Sequence, residues 1–126
     1  MTDAVPILKL DILTCTTDDL AFTSPFALEA QRNDYIHGLV VYFECAFTQV
    51  HKPIGFTTAP FAKYTHWKQT VFYFHDPITV CKNEVLSGEI SCKPNLRNKR
   101  DLDIGVSIVF QGEHSTLDEH LEYRLR

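Results

Sequence analysis

Ile104, Val106, Ile108 and Phe110 recur at every second position, with Gly105 and Ser107 between the first three. A repeat of two is that of a strand with one face in a core, and it cannot gather on one side of a helix, whose repeat is 3.6. The other apolar residues come in short runs rich in β-branched and aromatic side chains, such as Gln69 to Phe74 and Glu89 to Lys93, where Ile90 and Cys92 share a face. No stretch carries a helical period of useful length. Many short strands separated by turn signals predict an all-β chain, an antiparallel sandwich or barrel. Closure into a barrel would remove the exposed edges that such strands present.

The alternation Ile7 to Leu13 predicts a first strand, Thr17-Asp18-Asp19-Leu20 a capped helical turn, and Ser24-Pro25 an edge or a bulge. Tyr35 to Phe47 reads as one long strand covered on both faces. His75-Asp76-Pro77 has the chemistry of a hairpin turn between Gln69–Phe74 and Ile78–Lys82, and Ser87-Gly88 reads as a further break. Pro94 to Asp101 is the longest hydrophilic loop, Gln111-Gly112 ends the Ile104–Phe110 strand, and in the polar tail after Ser115 only Leu117, Leu121, Tyr123 and Leu125 can anchor. The expected core includes Leu39, Val41, Phe43, Phe72, Ile90, Val106 and Ile108.

At 126 residues, 44% hydrophobic and 22% charged, the chain has the size and composition of one globular domain spanning residues 1–126. Sixteen acidic against 12 basic side chains give a formal charge of −4, which disfavours a binder that must neutralise phosphates, so no direct nucleic-acid partner is expected. The basic "KPNLRNKRD" lacks the interleaved aromatics that stack bases and reads as a solvated turn. No apolar stretch approaches the roughly 20 residues of a membrane helix, so no membrane partner is expected, nor does the N-terminus carry a signal-peptide pattern. Cys15, Cys45, Cys81 and Cys92 form no Cys-x-x-Cys pair and have no histidine at ligand spacing. Reduced thiols, an intracellular setting and no metal ligands are the expectation. His37 reads as a wall histidine among apolar neighbours, whereas His51, His75, His114 and His120 lie on polar stretches.

The stretch "YTHWKQT", residues 64–70, sets His66 beside Trp67, the chain's only tryptophan, just ahead of a strand. Loops on a rigid scaffold are where binding and catalytic groups concentrate. Taken alone the pair reads as a packed tryptophan and a turn histidine.

The segments "FTSPFALEAQRNDYIHGLVVYFECAF", "GFTTAP", "YTHWKQTVFYF", "SGEISCKPN", "RDLDI" and "YRLR" resemble, in this order, the C-terminal β-barrel domain of protein arginine N-methyltransferases of the asymmetric-dimethylating type. The resemblance runs from about Ile7 to Arg126, and Thr65-His66-Trp67 is its most characteristic motif. It implies a barrel that forms one wall of the substrate cleft, opposite a Rossmann-like domain that binds S-adenosyl-L-methionine and is absent from this chain. It also implies a homodimeric full-length protein acting on arginine- and glycine-rich substrates, among them histones and RNA-binding proteins, in cytoplasm and nucleus. His66 would pair with an acidic residue of the methyltransferase domain and orient the site or accept a proton, a task suited to a side chain that ordinarily titrates near neutral pH. Trp67 would wall the arginine pocket with a ring face that favours a cation. Tyr64 and Thr65 would shape that pocket or only the loop.

The chain's glycines, Gly38, Gly55, Gly88, Gly105 and Gly112, form no Gly-x-Gly, so this chain alone is expected neither to bind the cofactor nor to be catalytically competent. Glu113 and Glu122 share the separation of the family's paired glutamates by coincidence, lacking that loop's aromatic sequence. The segment before Ile7 is too short for the helical dimerisation arm. Asp11, Asp18, Asp19, Glu29 and Glu44 could steer basic substrate tails over long range. A catalytically silent scaffold that recruits partners is the alternative reading.

Overall fold

The computed structural model describes residues 1–126 and is all-β apart from one turn of 3-10 helix, Thr17–Leu20. Eight strands follow in order: β1 Phe22–Glu29, β2 Asp34–Val41, β3 Glu44–Phe47, β4 Ile54–Thr57, β5 Thr70–Val80, β6 Val85–Pro94, β7 Leu102–Gln111 and β8 Thr116–Leu125. They pair as a four-stranded sheet β1-β6-β7-β8 and two pairs, β2-β5 and β3-β4. The ladders of the four-stranded sheet and of β3-β4 are antiparallel. The chain separates into two compact units, Met1–Ile36 with Ile78–Arg126, and His37–Pro77.

The first unit is built on the four-stranded sheet. Ile104, Val106, Ile108 and Phe110 are buried along β7 as their alternation predicts, and Phe26, Leu86, Ile90 and Leu121 bury beside them from β1, β6 and β8. β1 is an edge strand, which is why Pro25 fits within it without costing a ladder bond. Ser87-Gly88 is not a break but the middle of β6: a Cβ on Gly88 would overlap the Ser107 carbonyl oxygen and come within 2.6 Å of Phe26 Cζ. Glycine stands there because a ring and a backbone crowd the position. The polar tail pairs along all of β8, from Thr116 opposite Gln111 to Leu125 opposite Leu102, although the Leu125 side chain is exposed.

Ile7–Leu13 is irregular, contrary to its alternation, and Ile12 and Leu13 are exposed. Asp11 diverts the chain: its carboxylate accepts from Leu13 N (3.0 Å) and its carbonyl from Cys15 N (2.8 Å), a local turn that competes with extension. The predicted helical turn is present, and Thr16 N donates to Asp19 Oδ2 at 2.7 Å at its start. This bond holds the Asp19 carboxyl below its ordinary value. In the β6–β7 connection, buried Asn95 donates to both Asp103 oxygens and accepts from Arg97 N and Asn98 N. One asparagine thereby organises the hydrophilic loop.

Within His37–Pro77 the long strand expected over Tyr35–Phe47 is two strands, β2 and β3, separated at Tyr42-Phe43. Thr58 causes the interruption. Its hydroxyl accepts from Phe43 N (3.0 Å) and donates to Phe43 O (2.9 Å), and its own N donates to the same carbonyl (2.9 Å). A side chain has taken the hydrogen bonds a ladder would have used. The expected core is corrected accordingly: Leu39 and Phe72 are buried, but Val41 is half-buried and Phe43 is 44% exposed. His37 is exposed rather than set in a wall. The hairpin expected at His75-Asp76-Pro77 is absent, and β5 runs from Thr70 to Val80, with Phe72, Phe74, Ile78 and Val80 buried at even spacing. β5 pairs with β2 alone, so one side of it has no ladder for the proline to interrupt.

Candidate functional site

The residues singled out in "YTHWKQT" lie in one loop of the His37–Pro77 unit, between β4 and β5. The Thr65 carbonyl accepts from Lys68 N at 3.3 Å, closing a turn whose two central residues are His66 and Trp67. Both side chains are thrown to the surface, Trp67 at 54% exposure. Lys68 leaves the turn at φ 56°, in the left-handed region that a non-glycine residue enters at a cost. The Gln69 amide then donates to Thr58 O at 2.7 Å, tying the loop to the threonine that ends β2.

The tryptophan does not float free. Its ring stacks on Phe56 with centroids 5.4 Å apart and planes at 15°, and it meets Phe43 edge-on at 5.6 Å and 78°. Phe43 and Phe56 meet each other edge-on at 5.9 Å. The His66 ring leans on Trp67 with centroids 4.0 Å apart. Such offset and edge-on pairs are each worth about 0.5–1.5 kcal/mol beyond area burial, so an exposed histidine has a rigid aromatic backing. Tyr64 is exposed, while Thr65 is half-buried with its hydroxyl enclosed and without a hydrogen-bond partner.

His66 and Trp67 are thus brought together and Tyr64 and Thr65 flank them. Sequence reasoning missed the support: Phe43, Phe56, Thr58 and Gln69. The segments "FTSPFALEAQRNDYIHGLVVYFECAF" and "GFTTAP" carried part of the signal, but their partnership across the loop is not visible in spacing. Elsewhere in the same unit Phe47, Ile54, Phe61 and Tyr73 are exposed as well.

A second polar constellation lies on the four-stranded sheet. Ser107 Oγ and His120 Nδ1 are 2.9 Å apart, and His120 Nε2 lies 3.8 Å from Glu122 Oε1. The order of groups is that of a hydrolytic triad, yet Ser107 sits on β7, paired on both sides by β6 and β8. Its neighbouring backbone N–H groups are committed to ladders and supply no oxyanion hole. We read it as a cross-strand surface pair.

Residues 1–114 match the family model described as the arginine methyltransferase oligomerization subdomain. Among curated relatives, protein arginine N-methyltransferase 1 of Chlamydomonas reinhardtii is 47% identical over 95% of this chain and 35% of its own length. Protein arginine N-methyltransferase 1 of Schizosaccharomyces pombe is 46% identical over 98% of this chain and 37% of its own length. The chain therefore spans about a third of the relatives it matches. Among solved structures, a Trypanosoma brucei PRMT1 enzyme-prozyme heterotetrameric complex with AdoHcy superposes with TM-score 0.94 at 39% identity, covering 99% of this chain and 40% of the other. The Arabidopsis thaliana protein arginine methyltransferase 10 shares the fold at TM-score 0.89 and 18% identity, covering 99% of this chain and 39% of the other.

The glycines of this chain offer no backbone cradle for S-adenosyl-L-methionine, the cofactor implied by this likeness. At each of the five glycines a Cβ would meet other protein atoms, and none has a positive φ. None forms an open turn through which a backbone could approach a nucleoside.

Proposed function

This chain belongs to the arginine methyltransferase oligomerization subdomain family, and we propose that it is the substrate-side domain of a protein arginine N-methyltransferase. The cofactor pocket then lies in a separate part of the protein, as the relatives' greater length allows. The observation that carries this reading is the exposed His66-Trp67 pair on its Phe43-Phe56 backing.

The chemistry fits that arrangement. An arginine guanidinium stays charged, with a pKa above about 12, and must approach a positively charged sulfonium methyl donor. The Trp67 ring offers a face that attracts a cation without neutralising it, an interaction worth about 0.5–2 kcal/mol according to its desolvation. His66 stands beside that ring and orients the guanidinium or takes the proton it loses. Substrates are arginine- and glycine-rich protein segments, and the parent protein is an oligomer, a reading supported by the family's description as an oligomerization subdomain.

In the full-length protein His66→Ala should lower turnover by about 10²–10⁴-fold, the usual worth of a positioned general base, with S-adenosyl-L-methionine affinity unchanged. Trp67→Ala should chiefly raise KM for an arginine peptide. Normal turnover in His66→Ala would overturn the assignment. A second reading, a silent barrel that recruits partners, is favoured by the solved complex in which an enzyme is joined to a prozyme. Methyl transfer by the purified full-length protein alone excludes it; transfer only after addition of a paralogue supports it.

A further inference from the structure

Two turns of the larger unit meet at Glu84. Its Oε2 accepts from Cys81 N and its Oε1 from Glu113 N, both at 2.7 Å, so one carboxylate ties the β5–β6 turn to the β7–β8 turn. Gly112 makes room for it, since a Cβ there would come within 2.8 Å of Glu84 Oε2. The β7–β8 turn is closed by Gly112 N donating to Ser115 O at 2.9 Å, and Ser115 Oγ accepts from Thr79 N at 3.0 Å. In this tethered frame the Cys81 sulfur, a Glu113 carboxylate oxygen and a His114 ring nitrogen all lie within 4.8 Å of one another. Nothing in the methyl-transfer reading uses them.

We propose that Cys81, Glu113 and His114 form a zinc(II) site, with Glu84 as a positioning residue that holds the two ligand-bearing turns in register. Thiolate, imidazole and carboxylate are the three donor types that zinc accepts, whereas magnesium and calcium demand oxygen alone. With bonds of about 2.0–2.3 Å to the metal, tetrahedral ligand atoms stand about 3–4 Å apart. The cluster therefore needs a contraction of about 1 Å, which the exposed Glu113 and His114 side chains can supply. Thiolate and carboxylate balance the two positive charges, and a water fills the fourth position. On binding, the Cys81 S–H bond breaks, the sulfur keeps the electron pair and bonds the metal, and the proton leaves to solvent. Before binding, partial burial and then the Glu84 and Glu113 carboxylates push the thiol up from its ordinary value. The same negative field draws in a cation.

Sequence spacing could not reveal this site. Cys81 is far along the chain from Glu113-His114, and only the strand pairings bring their turns together. The test is titration of the reduced, metal-free chain with zinc chloride by calorimetry and with cobalt(II) by absorption. One ion per chain and a thiolate-to-cobalt charge-transfer band are expected. Cys81→Ser should abolish the band and saturable binding, while Cys45→Ser in the other unit should leave both intact. Glu84→Gln should keep the band but weaken binding about 10–100-fold, as loss of an outer-shell partner does. Thermal unfolding of each variant without metal establishes that it folds. Absence of saturable binding in the folded wild-type chain, or a cobalt band that survives Cys81→Ser, would overturn the proposal.

Discussion

The two units place their aromatic rings differently. In Met1–Ile36 with Ile78–Arg126, the inward faces of β1, β6, β7 and β8 are closed over: Phe110 is 1% exposed, and Leu86, Val106 and Ile108 are equally hidden. In His37–Pro77, Phe72 and Phe74 are buried, but Phe43, Phe47, Ile54, Phe56, Phe61, Tyr64 and Trp67 are not. The first unit hides these strand faces, although Ile12, Leu13 and Leu96 in its irregular segments and loops are exposed. The second holds Phe43, Phe56 and Trp67 in mutual contact yet exposed, and the proposed site rests on them. Exposed aromatic rings held this firmly are suited to meet another body.

Phe110→Ala should break the larger unit first. It removes a fully buried ring and should cost about 3–5 kcal/mol in denaturant unfolding of the chain. Phe56→Ala, at 38% exposure, should cost clearly less. Equal losses would show that the aromatic surface is a core after all.

Gly88→Ala comes next and sharpens the comparison through its sign. Replacing a strand glycine by alanine ordinarily stabilises by about 0.4–1 kcal/mol where the backbone permits it. Here the added carbon collides with Phe26 and the β7 backbone, so a loss of about 1–3 kcal/mol from overpacking is expected. Stabilisation in the same unfolding measurement would mean that β1 packs more loosely than described.

Acid should act on the larger unit ahead of the smaller. Backbone N–H donors from Cys81 and Glu113 hold the Glu84 carboxyl below its ordinary 4.5, and Asn95, then Arg124, hold Asp103 below 3.8. Asp34 is lowered likewise by Tyr35 N and Arg32. A lowered folded pKa means that the unfolded chain binds more protons in the intervening window. The stabilisation is complete above the ordinary carboxylate values and is lost as pH falls through the folded ones. Hydrogen exchange should therefore show β6–β8 amides losing protection below about pH 4.5, and Glu84→Gln should flatten that dependence. An acid limb unchanged by Glu84→Gln would remove the carboxylate tether from the account.

His66→Ala should do least to the isolated chain, about 0.5 kcal/mol or less, because the exposed imidazole rests on Trp67 and holds nothing up. A larger loss of stability would make "YTHWKQT" a packing element.

These contrasts map onto what could be read before any coordinates. β7 was legible because burial on one face writes itself into a period of two, and the edge placement of β1 because proline states its own exclusion from a central ladder. The His66-Trp67 pair was legible as a motif through resemblance, but its aromatic backing was not. Tyr42-Phe43 looks like uninterrupted strand, and only the Thr58 hydroxyl, fifteen residues away, ends it. His75-Asp76-Pro77 looks like a turn and is strand, since a turn residue only permits a reversal and the ladder partner decides whether it occurs.

By itself, then, the sequence determined which residues prefer extended backbone, where one face must be covered, and which family the chain resembles. These follow from side-chain shape, local torsional preference and short-range pattern. The tertiary structure alone decided where strands end, that Phe43 faces outward to support Trp67, and that Cys81 lies beside Glu113 and His114. Each of those rests on a hydrogen bond or contact between distant segments, and such a partner is chosen by how the whole chain closes its ladders.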